Sequence, residues 1–180
     1  MLLRATVFAV LALALPLVAM AQEDPASSPD APGSRHFTLL VGAGNDMGFL
    51  GAQGEKYFRQ ERLSVFGSVG YIPQEETYPG ATALGLGVRG YTAGTKHRAF
   101  LELSVSSVAS VSSVAHPPDG QTLYGPALEV GYQYTAGGGF TLIASGGAGY
   151  GIGKKFLNPV HDESDSIYPI GRLGLGYTRR

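Results

Sequence analysis

From residue 36 onward, apolar and polar positions alternate with a period of two, the spacing of a strand whose two faces meet different surroundings. In the stretch 128–134, Leu128, Val130, Tyr132 and Tyr134 share one side, and Glu129, Gly131 and Gln133 share the other. Leu84, Leu86 and Val88 alternate with Gly85, Gly87 and Arg89, and Leu173, Leu175 and Tyr177 alternate with Arg172, Gly174 and Gly176. No segment after residue 35 repeats apolar residues at i, i+3, i+4 and i+7 over three turns, so strands are expected and helices are not. Turn-forming residues then divide the region into about eight strands, at 36–44, 49–59, 62–72, 81–94, 97–110, 123–135, 140–152 and 166–178. Those lengths suit strands that cross a bilayer at a tilt.

The connections alternate in length. Gln60-Glu61, Thr95-Lys96 and Ala136 to Gly139 are short, whereas 73–80, 111–122 and 154–165 are longer and polar. Short turns at one end and long loops at the other are the pattern of outer-membrane barrels. The first connection, Asn45 to Gly48, is short for its side. Register supports the division. A turn at Thr95-Lys96 sets Val88 against Leu103, Leu86 against Val105, Tyr91 against Phe100, and Arg89 against Glu102. A turn at Gln60-Glu61 sets Phe58 against Leu63, Ala52 against Val69 and Leu50 against Tyr71. For the third hairpin, the expected register sets Tyr132 against Leu142 and Glu129 against Ser145.

Composition decides which face points out. The 27 glycines are roughly twice the usual share. Charged residues make up 15% of the chain, well under the usual quarter or so. The face opposite Leu, Val, Tyr and Phe is made of Gly, Ser, Thr and Gln, which is too bare for a water-exposed surface and suits the crowded inside of a narrow barrel. The few charges on that face must then pair in the lumen: Arg89 with Glu102 and Glu129 with Arg172, with Glu55 a further candidate. A lipocalin-like soluble barrel would use the two faces the other way round. Tyr57, Phe58, Tyr71, Tyr91, Phe100, Tyr124, Tyr132, Tyr134, Phe140, Tyr150, Tyr168 and Tyr177 fall near expected strand ends, where an aromatic girdle would sit. Ordinary β-propensity also puts aromatics in strands.

The N-terminus reads as an export signal. Arg4 precedes an apolar run, Val7 to Val18, and Ala19-Met20-Ala21 fits a cleavage site. The expected organisation is a signal peptide at 1–21, a flexible Pro- and Ser-rich leader at 22–35, and a barrel at 36–180.

The signal peptide, Leu84-Gly-Leu-Gly-Val-Arg-Gly-Tyr91, the run Leu128 to Tyr134, and Gly171-Arg-Leu-Gly-Leu-Gly-Tyr177 resemble the bacterial outer-membrane β-barrel family, the small OmpA/OmpX/OmpW-like barrels. The resemblance covers about residues 36–180. It implies an all-β, single, antiparallel up-and-down transmembrane barrel in the outer membrane. It also implies outer-membrane lipid and the barrel-insertion machinery as partners. Members usually end the last strand on an aromatic residue; here Tyr177 is followed by Thr178, Arg179 and Arg180.

Candidate chemistry narrows the reading further. With no cysteine, thiolate catalysis, disulfides and Cys-ligated metal sites are excluded. A net charge of -1 offers no basic field for nucleic acid. His36, His97, His116 and His161 are the catalytic suspects, but the His-x-Ser pair of barrel deacylases is missing, and a polar interior does not suit an acyl pocket. His161, Asp162, Glu163 and Asp165 lack the spacing of a calcium loop. With Lys154 and Lys155 they are candidate external-loop contacts, for lipopolysaccharide phosphates among others. Gly42-Ala-Gly44 and the glycines of 146–153 lack the helix and Lys-Ser/Thr of a phosphate loop. No cofactor or metal is expected. The function expected is a non-enzymatic outer-membrane barrel with a side-chain-filled interior and a structural or surface-interaction role. The alternatives are a lipid-modifying barrel enzyme and a soluble periplasmic barrel that binds a small apolar ligand.

Overall fold

The computed structural model describes residues 35–73, 80–112, 120–152 and 165–179. Eight strands follow in order: β1 (Phe37–Gly44), β2 (Gly48–Phe58), β3 (Leu63–Ile72), β4 (Ala81–Tyr91), β5 (His97–Ser112), β6 (Gly120–Thr135), β7 (Phe140–Ile152) and β8 (Asp165–Arg179). Each pairs antiparallel with the next, and β8 pairs with β1 to close the barrel. Closure leaves no edge strand with unpaired backbone groups. Among the described residues there is no helix. The end that carries Arg35 and Arg179 is called the lower end below.

The period-two pattern maps directly onto the wall. Leu39, Val41, Leu84, Leu86, Leu128, Val130, Leu173 and Leu175 point outward and are exposed, each by 41% or more. At the opposite parity, Arg89, Glu102, Glu129, Gln133 and Arg172 point inward and are buried. The first two hairpins have the register expected from the sequence, with Leu86 opposite Val105 and Ala52 opposite Val69.

Three expectations need correction. The third hairpin is shifted by two: Tyr132 pairs with Ala144 and Glu129 with Gly147. The cause is its turn. Ala136 N–H donates to the Phe140 carbonyl at 2.8 Å, so three residues form the loop, and Gly139 takes a φ of 91°, which favours glycine. A shift of two preserves which side chains face in. Second, β4 ends at Tyr91, so the connection to β5 is longer than two residues; Thr92 N–H still donates to the Ala99 carbonyl at 3.0 Å and keeps the register. Third, Tyr57, Tyr91 and Phe100 are not part of an outer girdle. They have the same parity as the inward positions of their strands and are buried, as is part of Tyr168. Phe58, Tyr71, Tyr124, Tyr132, Phe140 and Tyr177 do face outward. The first connection is short, as the sequence reads, and it folds into the upper mouth: Asp46 and Met47 are fully or nearly fully buried.

The expected signal peptide, most of the leader and most of the long connections lie outside the described residues. Arg35, the last residue of the expected leader, is fixed at the lower end, with its side chain on Glu61 and the Thr95 carbonyl.

Candidate functional site

Inward positions on five strands converge at mid-height. Arg89 (β4) and Arg172 (β8) supply two buried guanidinium groups, and Glu55 (β2), Glu102 (β5) and Glu129 (β6) supply carboxylates. Arg89 donates through Nε to Glu102 Oε2 at 2.7 Å and through a terminal nitrogen to Glu55 Oε2 at 2.9 Å. Arg172 donates to Glu102 Oε1 at 2.6 Å and to Glu129 Oε1 at 3.0 Å. Glu102 therefore joins the two arginines, one on each oxygen. Gln53 joins them again: its Oε1 accepts from Arg89 at 3.0 Å and from Arg172 at 2.6 Å.

Charge balance explains the surrounding hydroxyls. Glu55, Glu102 and Glu129, with Asp46 from the first connection, outnumber Arg89 and Arg172. The remaining carboxylate oxygens are satisfied by neutral donors. Tyr91 OH donates to Glu55 at 2.5 Å, Ser64 also donates to Glu55, and Ser145 donates to Glu129 at 2.6 Å. Ser68 donates to Asp46 at 2.6 Å, and Asp46 lies 3.3 Å from Arg172 Nε. An unpaired buried charge would cost several kcal/mol, so each link removes a large penalty. The aromatic ring of Phe66 takes the guanidinium faces, 4.1 Å from Arg89 and 5.1 Å from Arg172.

Above and below this layer the lumen is filled differently. At the upper mouth, Val108, Leu123, Ala127 and Ile170 pack together with Tyr168 against them. Asn45 ties the inserted connection to both sides of the mouth: its Nδ2 donates to the Val108 carbonyl at 2.8 Å, and its Oδ1 accepts from Gly171 N–H at 3.0 Å. Below the ionic layer, Tyr57, Tyr91 and Phe100 stack at 5.7 and 5.5 Å, with Leu40 and Ile143 in the same cluster. Arg98 lies 4.0 Å over the Tyr91 ring and donates to Gln133 at 2.8 Å and to the Glu61 carbonyl at 2.8 Å. A chain of threonine hydroxyls, Thr38–Thr178–Thr141, crosses the base with links of 2.7 and 2.6 Å.

Arg89, Glu102, Glu129 and Arg172 thus occupy one connected cluster. Asp46, Gln53, Phe66 and Arg98 belong to the same interior, and the sequence reading did not single them out; Tyr91, which it set in the outer girdle, belongs there too. Parity would have found Gln53, Tyr91 and Arg98, which share their strands' inward positions. Asp46 has no such signal, because a connection has no period. Lys154, Lys155, His161, Asp162 and Glu163 lie outside the described residues; Asp165 opens β8 opposite Ile152. His97 lies outside the barrel wall, where its Nδ1 contacts the Tyr132 hydroxyl and its ring packs 5.0 Å from that of Tyr134. Among the described residues no group of His, Asp and Glu is placed to hold a metal ion.

The barrel resembles a solved structure over most of its length. That structure is the N-terminal β-barrel domain of Pseudomonas aeruginosa OprF. The likeness covers 79% of this chain and 95% of that one, with a TM-score of 0.51 and 13% sequence identity. At that identity the OprF likeness speaks for the fold. No protein-family model and no curated protein matches the sequence.

Proposed function

We propose that the chain is an outer-membrane barrel protein with a structural or surface-interaction role, acting through its external connections, and that its interior is a plug. The observation that carries this reading is the inversion of the two faces. The exposed wall holds Leu39 (58%), Leu86 (64%), Val130 (64%) and Leu173 (68%), and charges such as Arg89 and Glu102 are wholly buried. A wall this apolar on every strand is far larger than the patches soluble proteins tolerate, and hydrocarbon is the solvent that suits it. The even strand count puts the start of β1 and the end of β8 on one side, which we assign to the periplasm.

The interior supports a closed state. Arginines, carboxylates, stacked aromatics and the inserted Asn45–Met47 connection fill it from base to mouth. The serine hydroxyls that meet carboxylates there, Ser64 on Glu55, Ser68 on Asp46 and Ser145 on Glu129, lie on acids already held by arginines inside the packed interior, which favours a structural role for them. The long connections are left as the surfaces for lipopolysaccharide or other external partners. Membrane fractionation with heat-modifiable gel mobility tests the reading. Recovery in the membrane fraction, with a mobility shift on boiling, is expected. Recovery as a soluble periplasmic protein without detergent would overturn it.

A further inference from the structure

We propose that the lower rim across β8, β1 and β2 binds the phosphate of an anionic phospholipid, with Arg179 and Lys56 as its two cationic contacts. The inference rests on the outer-membrane reading above. Arg179 pairs with Phe37, and Phe37 pairs with Lys56, so the three stand side by side on adjacent strands. All three point outward and are exposed, Phe37 by 38%. Two strand spacings of about 4.8 Å put the cationic residues about 10 Å apart at the backbone, a gap that their long side chains close easily.

Their height matters. Directly above them the outward positions are Tyr177, Leu39 and Gly54, and above those Leu175, Val41 and Ala52. The cations therefore sit at the lower edge of the apolar wall, at headgroup level, where an acyl chain above and a phosphate beside them are the complementary groups. An ammonium on a lipid-facing strand is costly unless it reaches such a group. No side-chain ion pair holds Lys56 or Arg179 among the described residues, whereas the acid at this end, Glu61, is taken by Arg35 and Arg98. Exposed Arg62 and Lys96 add to the same positive field.

The test uses the full protein folded into bilayers of phosphatidylethanolamine. Spin-labelled phosphatidylglycerol and phosphatidylethanolamine of equal chain length are compared for their fraction immobilised on the barrel. The expected preference for phosphatidylglycerol is about tenfold at low salt, weakening as salt screens it. It should disappear in the K56Q/R179Q double variant, fall partway in Lys56→Gln alone, and largely survive in Lys96→Gln. Equal immobilisation of the two lipids by the native protein overturns the proposal, as does equal loss in Lys96→Gln and Lys56→Gln, which would mean a diffuse charge effect. Heat-modifiable mobility separates the two readings. A barrel that folds into the bilayer without lipid preference sinks this inference alone, whereas one that never enters the bilayer sinks the outer-membrane reading with it.

Discussion

Arg89 Nε lies 2.7 Å from Glu102 Oε2, across the β4–β5 hairpin, and neither side chain has measurable exposure. The contact follows from register, since the two residues are direct cross-strand partners. It is also a hub, because Glu102 reaches Arg172 with its other oxygen at 2.6 Å. Removing one member of a buried pair strands the other, so Arg89→Ala and Glu102→Ala should each destabilise the barrel by about 3–5 kcal/mol. The double variant should cost well under their sum, with a coupling of about 1 kcal/mol or more. Urea unfolding of the protein in lipid vesicles, read by heat-modifiable mobility, gives all three values. Additive costs would mean that the two groups do not share a buried site.

Asn45 fastens the inserted connection to β5 and β8 by side-chain bonds of 2.8 and 3.0 Å. Asn45→Ala removes both bonds and leaves the Val108 carbonyl and Gly171 N–H without that partner. The expected cost is about 1–3 kcal/mol, concentrated at the mouth. Amide hydrogen exchange at 45–48 should speed up more than exchange in the strand centres. Unchanged protection there would show that the remaining ties, Asp46 to Ser68 and Arg172 and the Asn45 backbone to Ser107 and Gly171, secure the connection without that side chain.

The barrel was readable in the sequence because its information is periodic. Leu128, Val130 and Tyr132 against Glu129 and Gln133 define two faces with no tertiary knowledge, and hairpin register follows once a turn length is fixed. Parity also separates Val88 from Tyr91, so the inward aromatic layer was legible in principle. An outer girdle is the wrong place for Tyr91 because aromatic character alone does not name a face. Arg98 over its ring and Glu55 on its hydroxyl give it an interior role. The shift at the third hairpin has another origin. Ala136 to Gly139 offers three glycines, any of which tolerates a positive φ, so the sequence leaves the turn type open. Asp46 and Met47 were beyond reach, since insertion of a connection depends on the space left by the side chains around it.

The β2–β3 turn stores strain that a substitution should release. Arg59, Gln60 and Glu61 have φ values of 46, 58 and 68°, left-handed values unfavourable for residues with a Cβ. Glu61 repays this by holding Arg35 and Arg98. Gln60→Gly removes the steric penalty and adds some unfolded-chain entropy, so a net gain of about 0.5–1 kcal/mol is expected. Glu61→Gly relieves the same kind of strain and loses both arginine contacts, and should be destabilising. Unfolding midpoints of the two variants should therefore move in opposite directions.

Val130 sits outward in β6 and is 64% exposed. If hydrocarbon surrounds it, Val130→Arg should cost about 2–4 kcal/mol in vesicles near mid-bilayer depth. On a water-facing surface the same change would fall within about 0.5 kcal/mol of neutral. A cost below 1 kcal/mol would contradict the lipid-facing assignment of that wall.

Gly70 and Gly67 lie on the same strand, and they should respond to alanine in opposite ways. A Cβ on Gly70 would land 1.7 Å from the Met47 carbonyl oxygen, a backbone atom of the inserted connection. A Cβ on Gly67 would point outward with nothing closer than the Gly85 carbonyl oxygen at 3.9 Å. Gly67→Ala should therefore be neutral or slightly stabilising, because alanine restricts the unfolded chain. Gly70→Ala must push Met47 and Asp46 out of the mouth or bend β3. The first response separates Asp46 from Arg172 and the second separates it from Ser68, and either should lower stability by about 1–3 kcal/mol. The two responses are distinguishable. Expulsion of the connection raises hydrogen exchange at 45–48 and leaves the β3–β4 ladder protected, whereas a bent β3 loosens that ladder first. Equal tolerance of both alanines would mean that Met47 does not press against β3 at all.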